Sequence, residues 1–116
     1  MKMKIAIIAL ALAASITPAS PQSALQFVPM GYEQLTSLGS AVALTVPCPS
    51  NRCATSALIT VEAQAVRYRD DGTNPTSSVG MPIAVGGTLI YGGTLSAIKF
   101  IEQTSGAKVN VLYYRQ

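Results

Sequence analysis

The chain has 116 residues, of which 49% are hydrophobic and 11% charged, and it contains no histidine. That length admits one domain, and a charged fraction well under the roughly 25% of an average globular protein leaves a neutral surface of Ala, Gly, Ser, Thr and Val, suited to burial against copies or partners. The formal charge of +3 falls to +1, six bases against five acids, once Lys2 and Lys4 are set aside, so composition gives no electrostatic case for nucleic acid.

Lys2 and Lys4 precede an apolar run over residues 5–16, followed by Thr17-Pro18-Ala19-Ser20-Pro21. Basic, apolar, small and helix-breaking, in that order, is the layout of a secretory signal peptide. Small Thr17 and Ala19 place the expected cleavage after Ala19, with Ser15 as second choice. The alternatives are a buried core helix, a membrane anchor, or an uncleaved apolar arm tucked into a neighbouring subunit. A run of twelve residues reaches only about 18 Å as a helix against a hydrocarbon core of about 30 Å, so no stable membrane span is expected. No cysteine stands near the end of the run to carry a lipid.

Residues 20–40 mix Pro, Gln, Ser and isolated apolar groups and read as an extended arm, with weak helical periodicity over 32–38 that Gly39 would end. Residues 41–116 carry strand signals and are assigned to a β-domain. After the strand-like stretch 41–46 comes Cys48-Pro49-Ser50-Asn51-Arg52-Cys53, where Pro, Ser and Asn call for a turn. The turn brings Cys48 and Cys53 within bonding range, and export would oxidise them to a structural disulfide. A redox pair more typically has two intervening residues, and a zinc site would lack two further ligands in a chain with no His and no other Cys.

Strand patterns follow at 57–69, 87–91, 97–102 and 108–114, separated by Gly-Gly at 86–87 and 92–93 and by Ser105-Gly106. In the last of them Val109, Val111 and Tyr113 share the face expected to be core. In the longest, Ile59, Val61, Ala63 and Ala65 alternate inward, but the same parity would bury Arg67 and Arg69, and a bulge near Ala65 is expected to flip it. Short strands that must each bury one face predict an all-β fold, a compact antiparallel β-sandwich or jelly-roll-like barrel with an extended N-terminal arm.

Four of the thirteen charged side chains crowd into Val66-Arg67-Tyr68-Arg69-Asp70-Asp71-Gly72-Thr73-Asn74-Pro75-Thr76. With the parity flipped, Arg67 and Arg69 face solvent or a partner, and Asp71-Gly72 is a strong two-residue hairpin signal. Asp70, Asp71, Gly72, Pro75 and Gly80 then have turn or structural roles. Adjacent aspartates at a strand end point apart and remain solvated, which argues against an acid and base pair. A Ca²⁺ loop at Asp70, Asp71 and Asn74 lacks the downstream bidentate Glu. No Gly-x-Ser-x-Gly elbow, phosphate-binding Gly-Lys-Thr or metal-ligand spacing occurs, so an enzyme is not expected and no cofactor is implied. Arg67, Tyr68, Arg69, Tyr91 and Tyr114 are the candidate interface residues; of Tyr68, Tyr91, Tyr113 and Tyr114, two are expected to be core.

Residues 79–93 are similar to cupin-type barrels in the placement of Gly and Pro, but without that family's metal-binding histidines the likeness implies a barrel and no activity. A broader resemblance rests on Gly31-Tyr32-Glu33-Gln34-Leu35, Ala57-Leu58-Ile59, Glu62-Ala63-Gln64, Val66-Arg67-Tyr68-Arg69-Asp70-Asp71-Gly72-Thr73, Pro75-Thr76, Val79-Gly80-Met81, Leu95-Ser96-Ala97-Ile98-Lys99-Phe100-Ile101-Glu102 and Ala107-Lys108-Val109-Asn110-Val111-Leu112-Tyr113-Tyr114. Together these resemble small structural proteins of tailed bacteriophages and prophages, with Arg-Asp-Asp-Gly-Thr the most distinctive segment. The resemblance implies a virion component, such as a capsid decoration, fibre or tail-associated subunit, and packing roles for these residues.

The leader and the Cys48 to Cys53 insertion, where a Gly-containing turn is expected, depart from that pattern. They suggest an oxidising compartment, or a virion assembled at or exported through a membrane. The expectation is therefore a noncatalytic virion protein with an exported precursor, whose partners are its own copies, as in a closed trimer, and other virion proteins. The alternative is a secreted or periplasmic β-sandwich module that binds carbohydrate or a surface protein through its tyrosines and residues 70–76.

Overall fold

The computed structural model describes residues 26–116, so the signal peptide expected over 1–19 and the start of the arm lie outside the described residues. Period-two alternation sets the centre of the fold. Ala57, Ile59 and Val61 point inward from β3 (Ser56–Glu62), as do Val109, Val111 and Tyr113 from β8 (Lys108–Arg115), and all six are buried. The expected core face of the last strand is thus the observed one. β3 and β8 pair antiparallel from Ser56↔Tyr114 to Glu62↔Lys108.

The remaining strands are β1 (Val28–Leu35), β2 (Val42–Ala43), β4 (Val66–Arg69), β5 (Met81–Ile83), β6 (Thr88–Tyr91) and β7 (Lys99–Glu102). They complete two four-stranded antiparallel sheets, β1-β8-β3-β6 and β2-β7-β4-β5. The pairing is nested: β1 with β8, β2 with β7, β3 with β6, β4 with β5. One long hairpin wound across two sheets has this signature, so the all-β fold takes the jelly-roll form. Phe100, Val66 and Ile83 of the second sheet face Ile59, Val61, Val109 and Val111 of the first across the core. Leu38, Leu44, Leu95 and Ile98, from the connections, complete it.

The sequence-based boundaries need several corrections. Residues 28–35, read as part of an arm, are β1: their backbone pairs with β8 from Val28↔Arg115 to Leu35↔Val109, with a bulge between Pro29 and Gly31. Helical periodicity over 32–38 is accordingly not realised. The strand expected at 41–46 shrinks to Val42–Ala43.

The long run 57–69 is two strands in different sheets. Gln64 N–H donates to the Glu62 carbonyl at 2.9 Å, around Ala63 at φ 71, which makes a γ-turn of the rare left-handed kind. Past this corner Val66 is buried and Arg67 and Arg69 point outward, so the parity flips as expected, through a change of sheet instead of a bulge. Asp71-Gly72 does not make a two-residue hairpin, because β4 next pairs with β5 through Tyr68↔Met81 and residues 70–80 form a longer loop.

Candidate functional site

The two outer faces of the jelly roll differ. On the second sheet the outward positions include the bases Arg67, Arg69 and Lys99, beside Ala43, Ile101 and Pro82, and loop 70–80 is tied back onto the three bases. Arg67 Nη1 donates to the Gly80 carbonyl at 2.8 Å and its Nε to the Ser77 carbonyl at 3.2 Å. Lys99 Nζ donates to Asn74 Oδ1 at 2.9 Å. Arg69 forms a two-pronged ion pair with Asp71, whose Oδ1 also accepts the Thr73 amide. That guanidinium holds the Asp71 carboxyl below the usual aspartate range and is itself shifted up by the same hydrogen bond.

Two residues of the loop are fixed by shape. Pro75 is buried, and Gly80 takes φ 139 where an added Cβ would lie 3.1 Å from the Tyr68 carbonyl and 3.2 Å from Pro75 Cβ. Asp70 is engaged from the other sheet: Tyr91, inward-facing at the end of β6, donates its hydroxyl to Asp70 Oδ2 at 2.7 Å. Gly93 makes room, since a Cβ there would stand 2.6 Å from that hydroxyl oxygen. Desolvation first, and then Asp70, push the Tyr91 hydroxyl up to about 12.

Asp70 and Asp71 therefore answer different donors and do not converge on a common point. Among the described residues no three His, Cys, Asp or Glu side chains group closely enough to hold a metal, and no helix is long and apolar enough to cross a membrane. Tyr68 is half-buried against Phe100, with ring centroids 5.9 Å apart. Cys48 and Cys53 are joined as a disulfide across the turn Pro49–Asn51, where the Arg52 amide donates to the Pro49 carbonyl at 2.9 Å.

Glu33, which the sequence offers only as part of the Gly31–Leu35 segment, takes an inward position on β1. Its carboxylate accepts the Tyr113 hydroxyl and the Thr45 amide, which makes a carboxylate tolerable there. Desolvation, and then Glu33, hold the Tyr113 hydroxyl well above the ordinary tyrosine range. The signal was an acid at inward parity, legible only once β1 is known to pair with β8.

The outer face of the first sheet has the opposite character. Register places Tyr32 of β1 beside Leu112 of β8, Leu112 beside Leu58 of β3, and Leu58 beside Ile90 of β6. This apolar row crosses all four strands, and Tyr32, Leu112 and Ile90 are 59%, 41% and 81% exposed. Next to it runs a neutral polar row, Gln34, Asn110, Thr60 and Thr88, in which Asn110 Oδ1 accepts from Tyr32 at 2.7 Å and from Gln34 at 2.9 Å. Glu62 and Lys108 face each other beyond that. On the other side of the apolar row Tyr114 packs edge-on against Phe27, and a groove lined by Phe27, Ser56, Leu58, Ile90 and Tyr114 lies open. Of the candidate interface residues, Tyr114 is thus on the apolar face, Arg67 and Arg69 on the charged one, and Tyr68 and Tyr91 in or beside the core.

No family model, curated protein or solved structure matches the chain.

Proposed function

We propose that this chain is a noncatalytic structural subunit of a tailed-phage or prophage virion, working by docking against other subunits. The observation that carries the reading is the row Tyr32, Leu112, Leu58 and Ile90, open to solvent across the outer face of the first sheet. Scattered apolar residues are ordinary on a protein surface, whereas a contiguous stripe marks an interaction site. Burying side chains of this size stabilises by up to about 1.5–3 kcal/mol each, less what they already bury at home.

The fold supports the reading without selecting it, since jelly rolls serve in viral capsids, lectins and cupins alike. The resemblance of the Arg-Asp-Asp-Gly-Thr region to phage structural proteins favours the virion reading among these, and the ion pairs and hydrogen bonds of loop 70–80 suit a packing role for that region. The exposed disulfide favours service in an oxidising setting such as a released particle. The test is to purify particles from the natural host by density gradient and probe for this chain. It should co-sediment with the particles in fixed proportion to the other virion proteins. Recovery only as free protein in the culture fluid would overturn the assignment.

A further inference from the structure

The geometry points to a second copy of this chain as the occupant of the outer face of the β1-β8-β3-β6 sheet, docked about a two-fold axis that runs close to the strand direction and passes between β8 and β3. The inference rests on the reading of the chain as an assembly subunit and names the partner for its exposed face. It is argued from the self-complementarity of that face under one operator.

A two-fold axis along the strands, lying between two facing sheets, reverses the order of strands and keeps the order of rows. β1 of one copy then lies over β6 of the other, and β8 over β3. In the apolar row Tyr32 meets Ile90 of the second copy and Leu112 meets Leu58. In the polar row Gln34 meets Thr88 and Asn110 meets Thr60, amides against hydroxyls that both donate and accept.

In the charged row Lys108 of β8 comes opposite Glu62 of the second copy's β3, and Glu62 opposite the second copy's Lys108. Tyr114 of β8 falls over short Ser56, where the groove lies open to receive its ring. One operator thus sets apolar against apolar, neutral polar against neutral polar and acid against base. The residual tilt of about 30° between aligned, twisted sheets keeps these facings approximate at the edges and closest at the centre.

The area sets the strength. Four strands about 4.8 Å apart, with seven residues of about 3.3 Å each along β3 and β8, make a face of roughly 19 by 23 Å. Two such faces bury on the order of 900 Å² of flat footprint, more with side-chain relief, at the small end of specific interfaces. The dimer is therefore weak and concentration-dependent.

Sedimentation equilibrium of the full chain, from low to high micromolar concentration, tests it. The unmodified chain should pass from monomer to dimer, and Ile90→Asp should raise the dissociation constant at least about tenfold. Circular dichroism would establish that the variant is folded. Glu62→Lys and Lys108→Glu should each weaken self-association, because each sets like charges opposite. An equimolar mixture of these two variants should dimerise again, since each charge then meets its opposite.

A monomer at every concentration overturns the inference, and so does a dimer indifferent to Ile90→Asp and to the charge swaps. In either case the face is left to residues 1–25 or to a different protein. The assembly reading survives that result if the chain still co-sediments with particles, and it fails only if co-sedimentation is lost too.

Discussion

Replacing Ala63 with Gly should stabilise the protein. Ala63 holds φ 71 at the γ-turn that carries the chain from β3 in one sheet to β4 in the other, and its side chain is exposed, so no packing is lost on truncation. An L-residue in the left-handed region costs roughly 1–2 kcal/mol, which glycine does not incur. Against this, glycine loosens the unfolded chain by about 0.4–1 kcal/mol. The net expectation is a gain of about 0.5–1 kcal/mol, a rise of a few degrees in Tm for a domain of this size. Urea denaturation at a concentration that keeps the chain monomeric should show a higher midpoint with unchanged slope. Ala63→Val, a β-branched residue in the same conformation, should lower it. If Ala63→Gly instead destabilises by about 0.5–1 kcal/mol, the ordinary cost of glycine inside a strand, then residues 57–69 run on as one strand and the corner is wrong.

Three further outcomes are expected. Alkaline titration followed by tyrosinate absorbance should show an ionisation near pH 12 that disappears in Tyr91→Phe; stability from neutral Tyr91 is full below pH 10, the ordinary tyrosine value, and is lost as pH rises through about 12. Cys48→Ser with Cys53→Ser should cost about 2 kcal/mol on the chain-entropy model, read as a lower urea midpoint matched by the unmodified chain under reductant. Arg67→Ala should cost about 1.5–3 kcal/mol, because it frees the Ser77 and Gly80 carbonyls and the loop they anchor, whereas Arg69→Ala should cost much less, its pair with Asp71 being solvated. Equal costs in the two arginine variants would refute the division between anchor and surface pair.

What the sequence makes legible is local parity, and what it conceals is pairing. Val109, Val111 and Tyr113 are readable as core because alternation needs only their neighbours, and the conflict between Val61 and Arg67 shows that parity must flip somewhere between them. It does not show a change of sheet, because Glu62-Ala63-Gln64-Ala65 contains no Gly, Pro or Asn to announce a corner. β1 is obscured for the opposite reason: Pro29 and Gly31 read as punctuation, and only the ladder with β8 makes residues 28–35 a strand. Asp71-Gly72 lies in a bend of loop 70–80, but a local turn signal carries no information about where the next strand starts. In the folded chain Arg67 ties the end of that loop beside β4 through the carbonyls of Ser77 and Gly80, a contact across ten and thirteen residues that no local pattern announces.

The apolar face belongs with what is concealed, and its origin admits a competing account. Leu58, Ile90 and Leu112 each stand at a solvent parity position, where one apolar residue calls for no explanation. Cross-strand apolar pairs also stabilise a sheet by themselves, by roughly 0.2–1 kcal/mol each, so a row of them has a use with no partner present. The two accounts separate at Ile90. It sits on edge strand β6 with a single neighbouring strand and is 81% exposed, so cross-strand packing supplies it with little contact at home. If sheet stability alone selects the row, Ile90→Asp lowers the unfolding midpoint in proportion to one lost pair with Leu58 and leaves the mass in solution unchanged. If docking selects it, the same change leaves the monomer's midpoint almost where it was and moves the association constant.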